Sequence, residues 1–118
     1  MATTIKHHDH EGYIEIICSG DIDIDEATSA MEEIVRLGEA TGCDLLLANL
    51  LEMQHAPDSI DMFSFASDYP ANIRTAMILP LNSDFDHDFF ENVARNRGRL
   101  INSFKHRDEA VHWLTSPP

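Results

Sequence analysis

Residues 43–51, CDLLLANLL, decide the fold. From Leu45 to Leu51 the run is apolar apart from Asn49 and shows no alternation, so a strand made from it must be covered on both faces. Such a strand belongs inside a sheet with helices packed against it, and the flanking sequence should supply them. It does. Upstream, DIDEATSAMEEIVRLGEATG is a helix with Ala27, Ala30, Met31, Ile34, Leu37 and Gly38 on one stripe and Glu32, Glu33, Arg36 and Glu39 off it. Asp23 and Asp25 are available as caps, and Gly42 ends the helix.

Downstream, APDSIDMFSFASDYP, Ala56 to Pro70, is a short helix closed by proline. NIRTAMILP is a second buried strand. DFDHDFFENVARNRG is a helix with acids in its first turn, Phe89, Val93 and Ala94 on a core stripe, arginines in its last turn and Gly98 beyond it. RLINSF is a short strand, and HRDEAVHWL a closing helix with Ala110, Val111 and Leu114 inward. At the other end, TTIKHHDHEGYIEIICSG reads as a hairpin turning at Asp9 to Gly12, with Ile14, Ile16 and Cys18 facing a core and Tyr13, Glu15 and Ile17 opposite. The order β-β-α-β-α-β-α-β-α predicts an α/β fold with a mostly parallel mixed sheet flanked by helices, in one domain over residues 1–118.

Bulk composition narrows function. A chain of 118 residues with 43% hydrophobic content builds a core without metal or disulfide staples. No apolar run nears the roughly 20 residues of a membrane helix, and the polar start MATTIKHHDHEG lacks a signal core. Cys18 and Cys43 read as reduced thiols, which makes a cytoplasmic location the expectation. The formal charge of −13 disfavours nucleic acid and anionic membrane surfaces, and RNRGR, Arg95 to Arg99, is the one basic cluster. A basic protein partner is compatible with that charge, as is solubility alone.

Two stretches imitate metal sites. In HHDH, His8 and His10 point one way on a strand and His7 the other with Asp9, so at most two imidazoles converge, too few for zinc. In DIDIDEATSAME, Asp21, Asp23, Asp25 and Glu32 fit a calcium-loop register, but Glu26 stands where that loop needs glycine. Asp84, Asp86, Asp88 and Glu91 with His87 solvate a helix N-terminus better than they form acid–base machinery. No nucleophile motif or glycine-rich phosphate loop is present. The expectation is no cofactor, no metal and no catalysis.

The helix after the central strand is the candidate site. With Asp58 as cap, Ser59 is the first helical residue, where a phosphate gains from the helix dipole and is repelled by Asp58 and Asp61. Equally, Ser59 serves as an ordinary polar residue of a first turn. Met62, Phe65, Ala66 and Tyr69 repeat at i, i+3, i+4 and i+7, with Ile60 and Phe63 on a neighbouring line. So broad a stripe is either buried between sheet and helix or left partly exposed as a docking surface.

GYIEIICSGDIDIDEATSAMEEI resembles the opening of STAS domains, the sulphate-transporter and anti-sigma-factor-antagonist superfamily. IRTAMILP and FKHRDEAVHWL are similar to the SpoIIAA-like branch of small bacterial proteins, in the ending Phe104, Glu109, Ala110, Trp113 and Leu114. The resemblance implies a STAS-like fold and a non-catalytic regulatory module working through protein–protein contacts. In the antagonists a serine at the start of this helix is phosphorylated within a "DSSG"-like motif. Ser59 after Asp58 matches it, while Ile60 and Asp61 replace the second serine and the glycine, and Asn49 stands where many members have aspartate. The surface so implied is Asn49, Asp58, Ser59, Met62, Phe63, Phe65 and Tyr69, facing a protein partner or a second copy in a homodimer. The alternative is a carrier whose pocket, lined by Met62, Phe65, Phe89 and Trp113, holds an apolar small molecule, as the likeness of this branch to lipid-transfer domains implies. An enzyme using the acidic and histidine residues comes third.

Overall fold

The computed structural model describes residues 3–55, 58–70, 72–80 and 87–116, and of Ser59 and His87 the backbone alone. The hairpin is β1 (Thr3–His8) and β2 (Tyr13–Asp21), followed by α1 (Ile24–Thr41), β3 (Leu45–His55), α2 (Ser59–Ser67), β4 (Arg74–Ile78), α3 (His87–Asn96), β5 (Ile101–Phe104) and α4 (Arg107–Thr115). The five strands lie in chain order, β1 antiparallel to β2 and the rest parallel.

That order fixes where the helices go. The three crossovers through α1, α2 and α3 each step one strand in the same direction, so connections of the favoured right hand put all three helices on one face. Ala30 and Ile34 of α1, Ala66 of α2 and Phe90 and Ala94 of α3 accordingly share one core with Ile14, Ile16, Leu46, Leu50, Met77 and Ile101. α4 is followed by no strand and covers the other face, where Ala110 and Leu114 pack on Tyr13, Leu47, Ala76 and Ile78. β3 is buried on both sides, as its unbroken apolar run requires: Leu46 faces one core and Leu47 the other.

Local chemistry sets the ends of α1. The Asp23 carboxylate accepts the amide of Glu26 at 2.8 Å, and Gly42 closes the helix in the left-handed conformation at φ 72°. Gly38 has a different task. A Cβ there would sit 2.7 Å from the Cys43 carbonyl oxygen, because the chain doubles back so tightly to enter β3.

Two expectations need correction. The alternation in the hairpin puts Tyr13 and Glu15 opposite the core face, yet both are buried, because α4 and its first residue reach over that face. Glu91 was assigned to a solvated first turn, but it lies in the second turn of α3 and is buried against β5. There Ser103 Oγ donates to its carboxylate at 2.9 Å and Arg95 at 3.2 Å. Asp84 and Asp86, the other acids of that group, lie outside the described residues.

Candidate functional site

β3 carries the chain to His55, and α2 begins at Ser59 behind an Asp58 cap whose carboxylate accepts the Asp61 amide at 2.9 Å. From this start the helix shows two faces. Ala66 and the following Tyr69 are buried, with Met62 and Phe65 packed partly against the same core. Phe65, Tyr69 and Phe90 form an aromatic triangle with centroids 5.9 to 6.1 Å apart, which ties α2 to α3. The Tyr69 hydroxyl meets Thr75 Oγ1 at 2.5 Å beneath it, and burial pushes its ionisation well above the usual tyrosine range.

The neighbouring line is different. Ile60 is 80% exposed and Phe63 46%. They are three residues apart and so share one side of the helix. Phe63 leans towards Phe89 of α3, ring centroids 6.4 Å apart, which extends the apolar ledge across the helix pair. Asp58 and Asp61 flank it, and α2 contains no basic residue. Of the expected surface residues, Phe63 is therefore on the ledge, while Phe65 and Tyr69 are mainly core.

Asn49 lies elsewhere, in a polar network on the α4 side of the sheet whose members are far apart in the sequence. At its centre Glu15 is 2% exposed. Arg107, the first residue of α4, donates to both its oxygens at 2.8 and 2.9 Å; His8 Nε2 contacts one at 2.8 Å and Asn49 Nδ2 donates to the other at 3.2 Å. The Arg107 hydrogen bonds outweigh desolvation and hold the Glu15 carboxyl down at about 2. The same pairing pushes the Arg107 guanidinium above its already high ordinary range. Arg107 also reaches the Tyr13 hydroxyl at 3.3 Å, and the His8 ring lies 4.7 Å from that of Tyr13. A carboxylate so fully paired is a clasp between α4 and the sheet. Among the described residues no group of three or more His, Cys, Asp or Glu side chains is placed to hold a metal ion. His7 pairs with Asp9 at 2.6 Å and His8 with Glu15, so these two histidines point to different partners.

The four residues of the expected carrier pocket do not come together. Trp113 belongs to the α4 side, where it lies under the Arg74 guanidinium at 4.0 Å and beside Phe104. Met62 and Phe65 pack on the opposite face of the sheet. What lies between that face and the helices is a smaller apolar cavity of about 100 Å³, lined by Cys18, Ile22, Leu50, Met53, Met62, Met77 and neighbours. Pockets for drug-sized ligands start near ~300 Å³, so a long acyl chain does not fit unless the walls move. Two of the three arginines of RNRGR are spent on the fold: Arg95 donates to the Ile101 carbonyl and Arg99 to the Tyr69 carbonyl at 2.7 Å, while Arg97 is exposed.

A five-stranded sheet in chain order, antiparallel only at its first strand, with three crossover helices on one face and a closing helix on the other, is the SpoIIAA-like fold. Three solved structures share it along nearly their whole length. One is an uncharacterized protein of the DUF3478 family from Shewanella loihica (15% identity, covering 96% of this chain and 92% of that one, TM-score 0.58). Another is an anti-sigma factor antagonist from Mycobacterium paratuberculosis (14%, 97% and 93%, TM-score 0.59). The third is the anti-sigma factor antagonist SpoIIAA in its unphosphorylated form (12%, 96% and 97%, TM-score 0.55). No protein-family model and no curated protein matches the chain. At these identities the likeness defines the fold.

Proposed function

We propose that this protein is a non-catalytic interaction module that docks a protein partner on the ledge of α2. The observation that carries the reading is the exposure of Ile60 and Phe63 on a helix whose other side packs against the core. A large apolar side chain left four-fifths exposed beside a second one is the kind of anchor that interfaces bury. The anti-sigma factor antagonists among the structural neighbours support a regulatory role of this general kind. The −13 charge of the chain opposes pairing with a second copy and favours a basic partner over a homodimer. The acids beside the ledge, Asp58 and Asp61, add to that preference. The carrier reading ranks second because its cavity is small.

Ser59 is the natural control point. It stands in the chain between the cap Asp58 and the anchor Ile60, so a phosphate there adds about two negative charges to the first turn of α2. Ile60→Glu should abolish partner binding with little change in melting temperature, since it removes an exposed contact. Ser59→Asp should alter partner binding, again without a change in melting temperature. Identical binding by wild type and Ile60→Glu refutes the docking surface. Unchanged binding by Ser59→Asp alone removes the switch and leaves the surface standing.

A further inference from the structure

On the α4 side the helix lies mainly over β3 and β4, which leaves the edge strand β5 at its flank. Alternation along β5 turns Phe104 to this side while Ile101 goes to the opposite core. Leu100, in step with Phe104 just before the strand, is 57% exposed. Beside Phe104 runs an open groove of about 820 Å³, walled by Glu109 and Trp113 of α4 and by Arg74 of β4. The Arg74 guanidinium is held over the indole, 4.0 Å from the ring centroid, and its Nη2 donates to the Trp113 carbonyl at 2.8 Å. Its Nε is buried without a hydrogen-bond partner, a cost that calls for an explanation. Arg95 and Arg107 each find a carboxylate, but Arg74 finds none among the described residues. Asp108 and Glu109, exposed in the first turn of α4, line the same groove and are likewise without a cation among the described residues. A guanidinium and two carboxylates thus share one groove without meeting. Trp113 and Phe104, ring centroids 5.7 Å apart, supply its apolar surface.

We propose that this groove binds the C-terminal tail of a partner protein. The free carboxylate sits on Arg74, an apolar last side chain on Trp113 and Phe104, and a lysine or arginine two residues earlier against Glu109 and Asp108. A guanidinium fork fits a carboxylate, and one already ordered against an indole loses little freedom in taking it. Spacing sets the motif. Glu109 and Asp108 precede Trp113 by four and five residues, about 6–8 Å along α4. An extended peptide advances about 6.6 Å in two residues and brings its side chains back to the same face. Its last and third-last side chains therefore fall on the aromatics and on the acids. Charge selects the same ligand. A tail bringing only its carboxylate is repelled by a chain of charge −13 and by the two acids of the groove, and a basic residue offsets both. The groove lies across the sheet from the α2 ledge, so this inference stands apart from the docking surface proposed there.

Trp113 is the one tryptophan of the chain, so its fluorescence reports on this groove. The test is a titration of the full-length protein with the synthetic peptide acetyl-Gly-Lys-Ala-Leu carrying a free carboxylate. The expected result is a saturable change in emission. The C-terminal amide of the same peptide should bind at least about tenfold more weakly, and so should the free acid to Arg74→Gln. Because Arg74 is half-buried, the exposed Glu109→Lys supplies a second variant. It should weaken the lysine peptide about two- to fivefold and strengthen the peptide with glutamate at that position by a similar factor. Arg97→Gln should bind as wild type. No saturable change up to about 1 mM peptide overturns the proposal. So does equal binding of acid and amide, or an unchanged preference in Glu109→Lys. Loss of peptide binding on Ile60→Glu would place the tail on the α2 ledge and overturn it too.

Discussion

Replacing Glu15 by glutamine tests the clasp between α4 and the sheet. The substitution keeps the shape of the side chain and removes the charge that Arg107 and His8 gather around. In the folded protein the Glu15 carboxyl is held at about 2, against an ordinary 4.5. Each tenfold change in proton affinity is worth about 1.4 kcal/mol, so the ionised form contributes about 3 kcal/mol at neutral pH. That lies at the lower end of the about 3–5 kcal/mol typical of breaking a buried ion pair from one side. Because the folded pKa is depressed, the contribution is complete above the unfolded value of 4.5 and disappears as pH falls through 2. At pH 3 somewhat less than half of it, about 1.4 kcal/mol, remains. Urea unfolding of wild type and Glu15→Gln at pH 7, 5, 4 and 3 should show a gap of about 3 kcal/mol that narrows below pH 5. In a thermal scan at pH 7 the same gap is a loss of roughly 10 °C. A difference under about 1 kcal/mol at pH 7, the range of exposed pairs, refutes the clasp. A gap that stays constant down to pH 3 refutes its electrostatic origin.

Other consequences follow from single contacts. Gly38→Ala should destabilise the protein by about 1–3 kcal/mol despite alanine's better helix propensity, because the new methyl meets a backbone oxygen that cannot step aside; equal or greater stability in urea would contradict the tight α1–β3 turn. Tyr69→Phe should cost about 1–2 kcal/mol by leaving the Thr75 hydroxyl buried and unpaired, and adding Thr75→Val should recover part of the loss in a double-mutant cycle.

Much of the fold was legible because local chemistry and global arrangement agree. The unbroken run at Leu45–Leu51 gave the central strand, Asp23 and Gly42 the ends of α1, and the alternation of elements the parallel sheet. The candidate surface was half legible: the i, i+3, i+4 stripe separated Ala66 and Tyr69 from Ile60 and Phe63, but only packing decides which line is covered. The Glu15–Arg107 clasp was not legible, because its members stand 92 residues apart and meet only when α4 returns over the sheet. A trace of it was present in YIEIIC, where one acid interrupts an otherwise apolar strand and so calls for a distant cation. Trp113 was misplaced for a related reason. Periodicity says which residues of α4 face a core, but not which side of the sheet the helix takes once no crossover constrains it.

The most direct test of the interaction reading is site-specific photo-crosslinking in the protein's own cells. A photoreactive residue replaces Ile60 on the ledge or, as a control, the exposed Glu33 on the far side of α1. One dominant basic protein should be joined at position 60, absent at position 33 and lost when Phe63→Glu is added. Equal capture at both positions, or none at position 60, would contradict it.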